Sequence, residues 1–214
     1  LLSLKAFVFI TSDKAYENVE WEWGYRENDM LGGVDPYSAS KGAVELAVSS
    51  YSRSIFSGSG QFDLATTRAG NVIGGGDWSK DRIVPDIVRA LASNTPVQLR
   101  NPASTRPWQH VLEPLSGYLL LAQRMLEGYQ NLLDSYNFGP EVGSSRSVMD
   151  LAEGIINGFG FGSIEILHDE ANVHEARLLQ LNCDRAKQNL GWSPRWDFEQ
   201  TLSATAEWYS RALA

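Results

Sequence analysis

Tyr37 and Lys41 stand four residues apart in the run Asp35-Pro36-Tyr37-Ser38-Ala39-Ser40-Lys41. On a helix that spacing puts both side chains on one face, one turn apart. A phenol held beside an ammonium has its anionic form favoured, so its pKa falls toward the working range of a general base. The chemistry this suggests is removal of a proton from an alcohol. Ordinary amphipathic helices carry the same spacing with Tyr and Lys as plain surface residues, so the neighbours must decide. A second group is Ser12-Asp13-Lys14. Its serine could hydrogen-bond a substrate hydroxyl or the Tyr37 phenol, and its aspartate could donate a proton if its surroundings raise its pKa. An ordinary strand-ending turn would also favour Ser and Asp there.

The elements that must position these residues are legible around them. Pro36 suits a first helical turn and Asp35 an N-cap, and the sequence stays helix-compatible through about Phe56. Lys5 to Thr11 is a short, nearly continuous apolar run, read as a strand buried on both faces that ends at Ser12. Phe62 to Arg68 reads as the next strand, so strand, helix and strand form a βαβ unit with a parallel sheet. In open α/β sheets, ligands sit at the carboxyl ends of strands. Downstream, helices are predicted over Ile83–Leu91, Glu113–Leu126, Val148–Phe159, Asp184–Leu190 and Phe198–Ala212. Short strands are predicted over Val97–Leu99, Ser135–Phe138 and Gly162–Leu167.

The 214 residues, 43% hydrophobic and 21% charged, describe a soluble globular chain. A net charge of −8 with no basic run to offset it speaks against a general nucleic-acid binder. No apolar run is long enough to span a bilayer. One cysteine, Cys183, cannot form an intramolecular disulfide, which fits a reducing compartment and a small buried side chain. His168-Asp169-Glu170 and His174-Glu175 tempt a metal reading, but the spacing and a loop setting favour a solvated acidic segment. Arg82, Arg100 and Arg106 are candidates for an anion such as a diphosphate, because guanidinium presents paired donors to phosphate oxygens. Taken singly, each is better explained as solvated surface charge. Gly74-Gly75-Gly76 allows close backbone approach to a ligand or a flexible loop. The dinucleotide fingerprint G-x-G-x-x-G does not occur in these residues.

Taken together, the strand ending in Ser12-Asp13-Lys14, the Tyr37–Lys41 pair and the Arg68-Ala69-Gly70-Asn71 segment resemble the extended short-chain dehydrogenase/reductase family. Within it, Thr11–Lys14, Trp23–Asp29, Arg68–Trp78 and Arg106–Pro114 are similar to the nucleotide-sugar 4,6-dehydratases, with CDP-glucose as the implied substrate. So is His174-Glu175-Ala176 followed by Leu181-Asn182-Cys183, although Arg177 departs from the pattern and leaves that phosphate contact open. The resemblance covers essentially the whole chain. It implies an α/β, Rossmann-like fold, here a partial doubly wound parallel sheet plus a smaller C-terminal substrate domain. Residues 1–70 are then the C-terminal part of the cofactor domain with the catalytic helix. Residues 71–214 are mainly the sugar-nucleotide domain, with some segments returning to the sheet. The glycine-rich turn that cradles the NAD pyrophosphate is expected upstream of Leu1.

What the resemblance implies for chemistry is a lyase with bound NAD. Tyr37, with Lys41 and Ser12, takes the proton of the sugar 4-hydroxyl as that carbon is oxidised, and Asp13 protonates the departing 6-hydroxyl. Related dTDP-sugar dehydratases have a glutamate in place of Lys14, thought to take the C5 proton. Lys14 could do so only with a lowered pKa, so a base and an orienting role both stand open. Tyr37 and Lys41 are expected to contact the cofactor, and Asn71, Arg82, Arg100 and Arg106 the nucleotide sugar. The resemblance further implies a cytoplasmic homo-oligomer, dimer or tetramer, associating through the Tyr37 helix. Competing readings are an epimerase or reductase of the same fold, and a sugar-nucleotide-binding piece without catalysis.

Overall fold

The computed structural model describes residues 4–56, 62–129, 132, 135–167 and 178–214. In chain order its strands are β1 Ala6–Ile10, β2 Asp63–Arg68, β3 Val72–Ile73, β4 Val97–Leu99, β5 Thr105–Arg106, β6 Gln109–His110, β7 Ser135–Asn137, β8 Arg146–Ser147 and β9 Ile164–Ile166. Its α-helices are α1 Pro36–Tyr51, α2 Ile83–Ala92, α3 Leu112–Leu126, α4 Val148–Phe159, α5 Asp184–Leu190 and α6 Phe198–Leu213. No helix of the described residues is long and apolar enough to cross a membrane. The chain divides into two compact units. The first comprises Leu1–Gly70, Leu112–Val142 and Leu179–Arg195, and the second Asn71–Val111, Gly143–Leu178 and Trp196–Ala214.

In the first unit β1, β2 and β7 form one sheet in that order, every pairing parallel, with Val8 opposite Ala65 and Thr66 opposite Ser135. The strand–helix–strand order therefore gives the parallel pairing its periodicity predicts. Behind the sheet, Tyr16, Tyr25, Tyr136, Phe138, Leu121, Met125 and Trp192 make an aromatic-rich core. Phe138 and Trp192 meet edge to face at 4.9 Å, a geometry that the ring quadrupoles favour. Cys183 is buried in this core, its thiol pushed up to about 12 by burial.

Two predicted elements come out differently. Among the described residues β1 pairs with β2 alone, and Phe7 and Ile10 are 42% and 55% exposed rather than buried on both faces. Helix α1 ends at Tyr51, and a π-helical turn follows over Ser52–Phe56. The local serines explain the change: Ser54 Oγ donates to the Ser50 carbonyl at 2.7 Å, and Arg53 Nε to that of Ser49 at 3.4 Å. Such side-chain bonds compete with the regular backbone ladder.

The second unit is built of short strand pairs and three packed helices. Strands β3 and β6, and β4 and β9, pair in parallel, while β5 and β8 are antiparallel. Its core is largely aliphatic, with Ile87, Val88, Leu91, Leu151, Ile155 and Leu202 buried from α2, α4 and α6. Ser147 and Asp150 cap α4 in a reciprocal box, and Asp197 and Gln200 do the same for α6. Gly75 has a packing reason beyond the two that the sequence offers: a Cβ there would fall 2.2 Å from the Trp208 ring of α6.

Candidate functional site

In the first unit, β1 delivers the chain into a 3-10 turn over Asp13–Ala15, with Ser12 as its N-cap. Ser12 Oγ accepts the Lys14 backbone N–H at 3.2 Å and donates to Asp13 Oδ1 at 3.0 Å. The Asp13 backbone N–H donates to the Ala69 carbonyl at 3.2 Å, and the residue is 3% exposed. Its carboxylate lies against Gly70: a Cβ at that position would stand 1.8 Å from Oδ2. Only glycine leaves room for the acid, so the Ala69-Gly70 backbone acts as a seat for it.

Helix α1 then brings in the other pair. Asp35 Oδ1 accepts the N–H groups of Tyr37 and Ser38 at 2.9 and 3.0 Å, and Ser38 Oγ donates to Oδ2 at 2.6 Å. These bonds hold the Asp35 carboxyl below its usual range, with Lys14 adding a smaller pull. Tyr37 is 55% exposed, and Lys41 Nζ lies 5.4 Å from its ring centroid. Ser38, Gly42 and Glu45 form the buried face of α1. A Cβ on Gly42 would meet Gly32 N at 3.1 Å and Ala15 O at 3.3 Å, so α1 packs closely on the turn after Asp13. The structure therefore brings Ser12, Asp13, Lys14, Tyr37 and Lys41 into one neighbourhood of helix start and turn.

Beneath them lies a buried polar network that residue types alone did not single out. Glu45 accepts bonds from Thr11 Oγ1, from Thr66 Oγ1 at 2.7 Å and from Arg68 Nη2 at 2.7 Å. Arg68 Nη1 also donates to the Tyr16 hydroxyl at 2.7 Å and to the Glu27 carbonyl at 3.0 Å. Tyr16 donates to Asn137 Oδ1 at 2.8 Å, and Glu27 accepts the Asn137 backbone N–H at 2.9 Å. Burial opposes ionisation of Glu45, but the bond and charge of Arg68 outweigh it and hold the carboxyl low. Burial prevails at Glu27 and raises it despite Asn137 and Arg185. The available signal was the spacing of Ser38, Gly42 and Glu45, an acid on an otherwise small inward face.

The residues predicted to hold substrate all fall in the second unit. Asn71 has φ +52°, a left-handed conformation that asparagine tolerates, and its carbonyl accepts the Gln109 N–H at 3.2 Å. Arg82 is exposed just before α2. Arg100 lines a cavity of about 420 Å³ with Asn101, Ser104 and Thr105, whereas Arg82 and Arg106 are not on its wall. Arg106 is buried in β5, its Nη1 donating to the Thr105 carbonyl at 2.8 Å. Trp108 packs in the core and donates from Nε1 to the Arg146 carbonyl at 3.2 Å. The segment His168-Asp169-Glu170, His174-Glu175-Ala176 and Arg177 lies outside the described residues. Among the described residues, no group of three or more His, Cys, Asp or Glu could hold a metal ion.

Residues 3–205 match the family model described as GDP-mannose 4,6 dehydratase. The chain is 46% identical to a CDP-glucose 4,6-dehydratase of Salmonella typhimurium, over 97% of this chain and 59% of that protein. It thus spans about three fifths of that relative's length. Among solved structures it resembles dTDP-glucose 4,6-dehydratase from Bacillus anthracis in complex with NAD, with TM-score 0.78 and 21% identity over 95% of this chain and 61% of that one. It also resembles a UDP-glucuronic acid 4-epimerase from Bacillus cereus, with TM-score 0.79 and 16% identity over 97% and 62%. Both likenesses support the Rossmann-like α/β fold.

Proposed function

We propose that this chain, which belongs to the GDP-mannose 4,6 dehydratase family, supplies the proton-transfer residues and the sugar-nucleotide site of a CDP-glucose 4,6-dehydratase. The observation that carries the reading is the grouping in the first unit: Lys41 Nζ stands 5.4 Å from the ring of an exposed Tyr37, on a helix packed against the turn holding a buried Asp13. The 46% identity to the Salmonella enzyme supports CDP-glucose as substrate, and we propose a cytoplasmic setting with it. We read the first unit as part of the cofactor domain and the second as chiefly the substrate domain.

The residue roles we propose are those that the family resemblance implies, and this geometry supports them. Tyr37 takes the proton of the sugar 4-hydroxyl as general base, with Lys41 Nζ held 5.4 Å from its ring. Ser12, bonded to Asp13, orients that acid and can share the 4-hydroxyl proton. Asp13, shielded from water, donates its proton to the departing 6-hydroxyl. Lys14 either takes the C5 proton or orients the acid beside it. Asn71, Arg82, Arg100 and Arg106 hold the diphosphate and nucleoside, Arg100 from the cavity wall. Tyr37, which is exposed, and the neighbouring Lys41 would contact the nicotinamide and its ribose, and NAD, when bound, would supply a reversible hydride acceptor. The exposed edge of β1 fits a sheet that continues into the glycine-rich half of such a domain. We further propose a homo-oligomer built on α1 and the π-helical turn after it, where Leu46, Tyr51 and Ile55 are exposed.

The test is to titrate CDP-glucose, dTDP-glucose and GDP-mannose into the full-length protein and follow the sugar by mass. Selective binding of CDP-glucose with loss of one water is the expected result. A 4-epimer with no loss of water would favour the second reading, for which the likeness to the Bacillus cereus epimerase speaks.

A further inference from the structure

We infer that Glu45 is a positioning residue whose carboxylate sets the distance between the Tyr37–Lys41 pair and the Ser12–Asp13 turn. The inference rests on the site reading above and deepens it. Glu45 lies one helical turn after Lys41 and two after Tyr37, on the inward face of α1. Its carboxylate collects three bonds, one from the residue before Ser12 and two from the last half of β2. Thr11 directly precedes Ser12 and donates to Glu45 Oε1. Thr66 and Arg68 end β2, just before the Ala69-Gly70 seat of Asp13, and both donate to Oε2 at 2.7 Å. Through Arg68 the same carboxylate reaches Tyr16, which follows the 3-10 turn. One buried acid thus ties the helix bearing base and cation to both strand ends bearing the acid.

A buried ion pair is not needed for stability as such, since apolar side chains of similar volume often serve as well. What this one adds is direction. Three converging bonds allow α1 neither to slide along the sheet nor to rotate, whereas aliphatic packing would leave both motions soft. A small misplacement of a proton-transfer group costs rate without weakening binding. The substrate residues lie in the other unit, so disturbing the clamp is expected to lower kcat and leave KM in place.

Three variants of the full-length protein test this, with CDP-glucose as substrate. Thr11→Val removes the bond to Glu45, together with the hydroxyl's contact to the Thr67 carbonyl at 3.1 Å, while keeping side-chain shape. Thr11→Ser restores the hydroxyl. Glu45→Gln combined with Arg68→Met removes the ion pair without leaving a lone buried charge. Thr11→Val is expected to lower kcat about 10-fold with KM within about twofold of wild type, and Thr11→Ser to recover most of that loss. The double variant should fall further in kcat. Wild-type kcat in a folded Thr11→Val protein would overturn the proposal. So would a loss that merely follows the folded fraction by circular dichroism, or one that Thr11→Ser fails to rescue. If the double variant does not fold, the Thr11 pair decides alone. Tyr37→Phe, run alongside, separates the two levels: undiminished turnover there strikes the site reading and this inference together, whereas loss there with wild-type Thr11→Val strikes this inference alone.

Discussion

The first unit buries Asp13, Glu27, Glu45, Arg68 and Glu113 along with its aromatic core. The second packs α2, α4 and α6 through Ile87, Val88, Leu91, Leu151, Ile155 and Leu202, and among its described residues the buried basic groups are Arg106 and His110. Aliphatic packing tolerates small shifts, because apolar burial has no preferred direction. Charged hydrogen bonds are directional and costly to leave unmade. The difference fits the division of labour we propose, in which one unit holds proton-transfer groups to a fixed geometry and the other offers arginines to a ligand.

The sharpest way to break the comparison is a matched pair of truncations. Glu45→Ala leaves Arg68 buried without its carboxylate partner, and unfolding by urea should show a loss of about 3–5 kcal/mol. Leu151→Ala in the second unit should cost about 2–5 kcal/mol through its cavity. Their stabilities overlap, but kcat of the folded fraction should fall only for the first. Equal loss of kcat in both would erase the contrast between the units. Next in size is Gly70→Ala, whose methyl group collides with the Asp13 carboxylate. Steady-state kinetics should show kcat down by about 10²-fold, as expected for a displaced catalytic group. Asp35→Ala removes the α1 cap and should cost about 0.5–2 kcal/mol, read as a lowered melting temperature.

The smallest effect is a pH dependence in which the two buried glutamates oppose one another. Glu45 is held below the ordinary glutamate value of 4.5, so its contribution is present above that pH and is lost as pH falls through the depressed value. Glu27 is raised above 4.5, so its effect runs the other way: stability is fuller below 4.5 and declines as pH rises through the raised value. Denaturant midpoints measured across pH should therefore show Glu45→Gln flattening the acid limb and Glu27→Gln flattening the decline above it. A parallel change in both variants would mean that the shifts have a common origin.

Much of this was legible in the sequence because it depends on local chemistry. Pro36 after Asp35 marks the start of α1, and the apolar runs of β1 and β2 set the parallel pairing around it. Tyr37, Lys41 and Asp13 stand out by residue type and spacing. The Glu45–Arg68–Tyr16–Asn137 network does not, because its members are up to 121 positions apart and meet only once the sheet forms. Gly70 belongs to a recognisable segment, but its reason, the Asp13 carboxylate, lies 57 positions earlier in the chain and is visible only in space. The exposure of Phe7 and Ile10 escaped for a related reason: a continuous apolar run shows strand character, not whether a neighbour covers it. The serines that turn the end of α1 into a π-helical stretch are visible as residues, but their competition with the backbone is settled by geometry.

The most direct measurement compares Tyr37→Phe with Arg106→Leu in the full-length protein, using turnover of CDP-glucose and calorimetric titration of the same compound. The division between the units predicts that Tyr37→Phe binds CDP-glucose like wild type and loses about 10²–10⁴-fold in kcat. Arg106→Leu should instead bind weakly and keep most of its kcat at saturation. Full turnover by Tyr37→Phe, or unchanged binding by a folded Arg106→Leu, would contradict it.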